Sequence, residues 1–413
     1  MFKKVIGHSL VKNSFRIFSS NVLVQLISFV FLPVFSRIYE PNDYGIWGVF
    51  IFFSGYIAVF AGLRYELALM LPDSNRIAFL IFKMTRSIAF VICSLCAVVI
   101  LIFYNSIVSL FQLPNEIGLL FLVPIQAWLT SLNSLLMQWC ARKGEFKWMA
   151  NVRLIQSISN IVVSFISGYF FKMEYYGLIF GLVSSTLIAN IFLVRKLHLP
   201  LFSFKIYKWS FYKKLMLRYH NFLIYSTPLG ILNYYSTNIL VSVLQVNYGS
   251  IAMGLFSNAN RLIQSPLSLV SSSVSMVFYP HFSKSQHKKR DLILVFSALV
   301  LVFSAILLPF VVWGEELLGF YLGEEWVGSA LFIRLLFVFF VFSTAVSCVS
   351  PIFSYLQKEN YVLIWQVIYL VSAVYIFRLY HDDLNSGIYY YSLMGGLAYF
   401  LLFCLGLVLL RNK

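Results

Sequence analysis

Charge is scarce in this sequence. Only 11% of its 413 residues are Asp, Glu, Lys or Arg, against about 25% in ordinary soluble domains, while 60% are hydrophobic. A water-soluble chain of this length could not hide so much apolar surface. Acids are scarcer still, 15 against 31 basic residues. None falls at the centre of an apolar run; Glu66, Asp73, Glu116, Glu145 and Glu174 lie in loops or at run edges. The five cysteines sit in or beside apolar runs without His partners, so Cys93-x-x-Cys96 reads as helix filler rather than a redox or metal pair. The six histidines all lie in termini or loops. P-loop, H-E-x-x-H and G-x-S-x-G motifs are missing. No enzyme, metal or cofactor is indicated. A small-residue cleavage site after the basic start is missing too, so the first apolar run is expected to remain as a span.

What the chain does have is long, continuous apolar runs. About 20 apolar residues cross a bilayer core of about 30 Å. Short alternating strands, which an outer-membrane barrel needs, are not the pattern here. The reading is an all-α integral membrane protein with about twelve transmembrane helices. The spans are expected near 17–38, 44–63, 87–111, 117–139, 152–171, 175–194, 221–246, 257–280, 291–312, 328–350, 360–380 and 387–410.

The formal charge of +16 resembles that of a nucleic-acid binder, but the cations gather in loops on one side of these spans. The exceptions are Arg37, Lys172, Arg261 and Arg378, near the other side, and Arg334 inside a span. Acids lean the opposite way, with Glu315, Glu316, Glu324 and Glu325 in one outer loop and Asp382 and Asp383 in another. Nucleic acid is therefore no partner; the partner is the lipid bilayer. Both termini are expected in the cytoplasm.

A basic, aromatic segment at 195–220 divides the chain into halves of six spans, 1–194 and 221–413. It reads as an amphipathic linker on anionic headgroups. The halves echo each other faintly: Asp43-Tyr44-Gly45-Ile46-Trp47 against Ala252-Met253-Gly254-Leu255-Phe256, at an offset of 209. Two homologous halves are a common transporter plan.

Lipid-facing helices have no use for amides, so polar stripes mark faces that meet protein or water. Span one carries Asn21, Gln25 and Ser28; span four carries Gln126, Thr130 and Asn133; span five carries Gln156, Asn160, Ser164 and Ser167. Span seven has Asn233, Tyr234, Thr237 and Asn238, and span eight has Asn258, Arg261, Ser265, Ser268, Ser272 and Ser275. For any one Ser, helix–helix packing is the better explanation. A cation is different: Arg at a helix centre costs about 2.5–3.5 kcal/mol on insertion scales. Arg261 heads a polar stripe, and Arg334 has no carboxylate on its own segment. Arg without acid suits an anionic cargo, since Arg holds phosphate bidentately and stays charged.

The run Leu32-Pro33-x-x-Ser36-Arg37-x-Tyr39-x-Pro41-x-Asp43-Tyr44-Gly45, then Leu63-Arg64-Tyr65-Glu66-Leu67-Ala68, resembles the Wzx-type O-antigen and polysaccharide flippases. These belong with the multidrug MATE exporters and lipid II flippases. A second match is Gly254-Leu255-Phe256-Ser257-x-Ala259-x-Arg261-Leu262, with Tyr279-Pro280 beyond it. Length and span layout fit along essentially the whole chain. The resemblance implies two six-helix bundles around a central cavity, and transfer of an undecaprenyl-diphosphate-linked oligosaccharide across the inner membrane. In that frame Arg261 and Arg334, with Arg37 or Arg64 at the mouths, attract the diphosphate. Asn21, Gln25, Gln126, Asn133, Asn160, Asn233, Tyr234 and Asn258 meet the sugar. The pathway's polymerase and chain-length regulator are expected partners. Two other readings stay open: a multidrug (organic cation) exporter of the same superfamily, and an O-antigen polymerase.

Overall fold

A computed structural model describes residues 2–114, 117–199, 209–284, 287–356 and 358–410. Residues 200–208 of the expected linker, and the side chains of Ser265, Ser272, Ser275, Tyr279 and Pro280, lie outside what it describes. Every regular element among the described residues is helical, with no strand among them. Packing sorts the chain into two units: Met1–Phe31 with Ile46–Asn238, and Leu32–Gly45 with Ile239–Lys413. This division falls elsewhere than the expected linker. The chain leaves the first unit at Phe31 and re-enters it at Ile46, and the segment after the linker stays with the first unit as far as Asn238.

The first unit takes most of α1 (Phe2–Ser36) and α2 (Pro41–Ala61), then α3 (Asn75–Ile102), α4 (Tyr104–Leu110), α5 (Ile117–Lys143), α6 (Phe146–Tyr169), α7 (Glu174–Lys196), α8 (Trp209–Arg218) and α9 (Thr227–Thr237). Helix α3 starts where Ser74 accepts a hydrogen bond from the Arg76 N–H at 3.3 Å, an N-cap that supplies one of the partners a helix start lacks. One core cluster joins α3, α5, α7 and α8 through Phe82, Leu136, Trp139, Ala189, Leu193 and Leu215. The described end of the expected linker is therefore docked. Leu215 and Tyr219 are buried in that cluster, while Lys213 and Lys214 stay exposed.

The second unit holds the ends of α1 and α2 that flank the Arg37–Glu40 corner, with α10 (Ile239–Lys284), α11 (Lys288–Val312), α12 (Gly314–Leu322), α13 (Ser329–Leu335), α14 (Phe337–Val349), α15 (Pro351–Leu356), α16 (Glu359–Leu379) and α17 (Leu384–Leu409). Helix α10 is broken at Gly249, whose φ of 79° and ψ of −177° only glycine adopts easily. Asp383 caps α17 by accepting from the Asn385 and Ser386 N–H groups at 3.0 and 3.3 Å. Phe296 stacks on Phe403 at 3.8 Å, and Gly395 and Gly396 let α17 press against Phe339 and Val338 of α14.

Ten of the described helices are long and apolar enough to span a membrane, and a pair bent by 63°, Glu324–Leu335 with Phe337–Phe353, makes up to eleven. The expected seventh span, 221–246, is cut by a π-turn at Phe222–Ser226 and by Asn238, so no continuous helix represents it; the Gly249 break falls just beyond it, between the expected seventh and eighth spans. With that broken segment the architecture matches a layout of about twelve helices.

Candidate functional site

In the first unit, the turn after α2 brings a cation and a buried acid together, Arg64 and Glu66. Leu63 and Arg64 adopt φ of 50° and 58°, the left-handed region that costs a non-glycine residue about 1–2 kcal/mol. Two neighbours hold the turn there. Arg142, in the last turn of α5, donates to the Leu69 carbonyl at 2.7 Å, the Pro72 carbonyl at 2.6 Å and Asn75 Oδ1 at 3.3 Å. Tyr65 is fully buried and donates its hydroxyl to the Met216 carbonyl of α8 at 3.3 Å.

The strained backbone aims the Arg64 guanidinium over Gly230 of α9, where an added Cβ would lie 3.1 Å from Nε. That Nε is buried without a hydrogen-bond partner. The side chain is 33% exposed, and its contact to Glu66 is 3.7 Å. A direct charge-assisted bond would be about 2.7–2.9 Å, so the cation is only partly satisfied. Glu66 is packed among Gly62, Thr85 and Ser131; a Cβ on Gly62 would come within 3.0 Å of Oε2. Burial pushes its carboxyl above the ordinary carboxylate range, offset in part by its own backbone and by Arg64. The arrangement offers an anion a preset cation beside an acid that resists ionisation.

In the second unit the quoted N-terminal motif forms a closed cluster. Trp326 is fully buried and donates its indole N–H to the Ser36 carbonyl at 2.8 Å, while the Ser36 hydroxyl donates to the Leu322 carbonyl at 2.8 Å. The Tyr44 ring meets Trp326 edge-on at 5.0 Å. Arg261, half-buried on α10, lies against the Tyr44 hydroxyl. Arg37 is exposed at the corner before α2. Arg334 departs from the expectation of a cation alone inside a span. It is 47% exposed at the end of α13, bonds the Val311 carbonyl, and pairs with Glu315 of α12 at 3.4 Å. The carboxylate came from another segment, which span-by-span reading could not see.

The amides divide sharply. Gln126 and Gln156 both donate to the Thr186 hydroxyl, at 3.3 and 3.2 Å, and Gln126 reaches Thr130 at 3.2 Å, so α5, α6 and α7 share one knot. Asn133 donates to Asn190 at 2.9 Å, and Asn190 to the Leu129 carbonyl at 2.9 Å. Asn160 and Ser164 face Gly181 of α7 at close approach. Tyr234 bonds the Ile51 and Phe52 carbonyls across Gly55. These contacts are helix glue, and Gln126 is only 3% exposed. Asn258 is fully buried, with neither amide atom bonded. Asn21 accepts a hydrogen bond from Arg153. Gln25 is half-buried, and Asn233 is exposed.

Arg153 falls with the basic residues that the charge bias assigns to one side of the membrane, yet it lies within α6 and donates to the Asn21 amide oxygen of α1. The expected span 152–171 takes in Arg153 only at its edge, whereas the helix start at Phe146 sets it about two turns inside. Among the described residues no cluster of His, Cys, Asp and Glu could hold a metal.

The solved structure of the lipid II flippase MurJ in an inward closed conformation matches with a TM-score of 0.74. The match covers 98% of this chain and 88% of that one at 14% identity. An inward-facing multidrug resistance MATE family transporter of the MOP superfamily matches with a TM-score of 0.65, over 96% of each chain at 16% identity. At such identities the likeness shows the fold. No curated protein sequence matches the chain. The family described as polysaccharide biosynthesis protein matches residues 34–331, well over half of the sequence and inclusive of the Arg64 turn and the Tyr44–Arg261 contact. On that match the chain, with its MurJ- and MATE-like helical membrane fold, belongs to the polysaccharide biosynthesis protein family.

Proposed function

We propose that this protein is a flippase carrying undecaprenyl-diphosphate-linked oligosaccharide repeat units, such as those of O-antigen, across the bacterial inner membrane by alternating access. The observation that carries the reading is Arg64: a partly satisfied guanidinium, held by a strained turn, with Nε buried and unbonded. A permanent cation of that kind suits a diphosphate. Arg261 is the corresponding cation of the second unit, and Arg37 is a mouth residue. Arg334, paired with Glu315, is the weakest member of the expected set. Gln25 and Asn233 are the amides best exposed to meet sugar hydroxyls. In this reading both termini are cytoplasmic, and the polymerase and chain-length regulator of the pathway act on the product outside.

The buried Glu66 favours a second reading, a multidrug exporter whose carboxylate takes an organic cation or a proton. The deciding experiment compares surface polysaccharide from a strain lacking this gene with its parent. Bare core with lipid-linked units accumulating inside supports the flippase. An unaltered ladder overturns it and leaves the exporter. Core bearing a single repeat unit would instead identify a polymerase.

A further inference from the structure

Four consecutive cationic or ionisable residues, His287, Lys288, Lys289 and Arg290, open α11 and line a concavity of about 560 Å³. That lies within the ~300–1,000 Å³ span of small-ligand sites. Its remaining wall comes from Tyr355 and Leu356 of α15 and from Leu410, just past α17. The cavity is thus built by three elements of the second unit, whereas a solvated basic run would need no wall. Lys288 lies 5.7 Å from the centre of the Tyr355 ring, within cation–π reach, so one ammonium is fixed against the aromatic wall. Lys289 and Arg290 are exposed and free to turn toward a ligand.

The surroundings say what kind of anion fits. Within one helical turn of Arg290, α11 exposes Ile293 and Leu294, and close to Leu410, α17 exposes Val408. Apart from Asp291, which is half-buried in the first turn of α11, the cationic rim therefore borders an apolar surface. A free phosphate or nucleotide gains nothing from that second feature; a molecule with an anionic head and a hydrocarbon chain uses both. The charge bias of the loops puts this end of α11 at the cytoplasmic leaflet, where anionic phospholipids supply the head. We propose that the Lys288–Arg290, Tyr355 and Leu410 concavity is a binding site for the phosphate headgroup of an anionic phospholipid such as phosphatidylglycerol. This site is separate from the Arg64 turn, and its occupancy ties the second unit to the lipid composition of the inner leaflet.

The test uses the purified full chain in a neutral detergent, with thermal unfolding followed against added short-chain phosphatidylglycerol. Phosphatidylcholine of the same chain length and inorganic phosphate serve as separate arms. Wild-type protein is expected to show a saturable rise in Tm with phosphatidylglycerol only. Lys288→Gln/Lys289→Gln/Arg290→Gln should raise the concentration for half-effect at least tenfold. Lys289→Gln/Arg290→Gln, which alters exposed residues alone, should raise it at least threefold even if the triple variant folds poorly. Lys143→Gln/Lys147→Gln/Lys196→Gln, which removes cations of the first unit, should respond as wild type. An equal response to phosphatidylcholine, an equal response to inorganic phosphate, or an undiminished response in the double variant would each overturn the proposal. The readout contains no polysaccharide substrate, so it fails or succeeds independently of the flippase reading.

Discussion

Gly45 and Gly254 face each other's helices reciprocally. A Cβ on Gly45 would lie 1.9 Å from the Ser250 carbonyl oxygen, and a Cβ on Gly254 would lie 1.7 Å from that of Pro41. The offset of 209 that links Gly45 to Gly254 also links Pro41 to Ser250. The faint sequence echo is therefore a physical one: two helix starts cross backbone to backbone, each using the same glycine. Both obstacles are main-chain atoms, which cannot swing away. Alanine would gain about 1 kcal/mol of helix propensity, but overpacking of this kind costs about 1–3 kcal/mol or more. Gly45→Ala and Gly254→Ala should each lower Tm markedly in detergent. Gly118→Ala, whose Cβ would meet only the Tyr176 hydroxyl at 3.4 Å, should be nearly neutral. Equal melting of all three would show that the crossing is looser than described.

At Arg64, backbone strain and function point in opposite directions. Glycine adopts a φ of 58° without the penalty of about 1–2 kcal/mol that Arg pays. The ion pair given up is a third exposed at the Arg and worth roughly 0–1 kcal/mol. Arg64→Gly should therefore melt no lower than wild type yet fail to restore surface polysaccharide to a deletion strain. Arg64→Lys, which keeps the charge but loses the fork, should restore it only partly. Full complementation by Arg64→Gly would remove this cation from the transport path.

Arg261 and Lys213 make a matched pair for complementation. Arg261 is half-buried against Tyr44, whereas Lys213 is exposed on α8. Arg261→Ala should abolish polysaccharide export at unchanged protein abundance, and Lys213→Ala should be nearly silent. Equal, full activity in both would remove the diphosphate cradle from the second unit.

Glu66 predicts a pH dependence with a definite sign. Burial raises its folded value above the unfolded one, so folding favours the neutral acid. The stability it lends is complete below the ordinary carboxylate range and is lost as pH rises through the raised value. Glu66→Gln stays uncharged with nearly the same shape. Its Tm should fall less than that of wild type as pH rises from about 4 through neutrality. Parallel curves would mean that Glu66 titrates as an exposed carboxylate.

Periodicity and apolar length were enough to read the helices, because a bilayer leaves the backbone few other options. The run from Leu63 to Ala68 stood out in the sequence as well. What sequence could not reveal is which groups meet across segments. Arg334 looked isolated because Glu315 lies on another helix, and Glu66 looked like an edge acid because its burial depends on Thr85 and Ser131. The broken seventh span was missed for a related reason. The π-turn at Phe222–Ser226 and the break at Asn238 interrupt an apolar run whose composition alone reads as continuous.

The Thr186 knot separates structural amides from substrate-binding ones. One hydroxyl takes hydrogen bonds from both Gln126 and Gln156 and donates its own proton to the Leu182 carbonyl at 2.8 Å. Thr186→Val keeps the shape but leaves two amides short of an acceptor. Interhelical hydrogen bonds in membrane proteins are worth about 0.6 kcal/mol on average and up to about 1.7 kcal/mol. The substitution should therefore lower Tm by an amount equivalent to roughly 1–2 kcal/mol, because two such bonds are lost at a site 2% exposed. If Gln126 serves only to hold α5 to α7, polysaccharide export should survive in proportion to the folded protein that remains. If Gln126 also meets sugar, freeing its amide should change export beyond that proportion. The ratio of surface polysaccharide to membrane-inserted protein, measured for Thr186→Val beside Gln126→Leu, distinguishes the two. Proportional loss in both variants would withdraw Gln126 from the sugar path and leave it as helix glue.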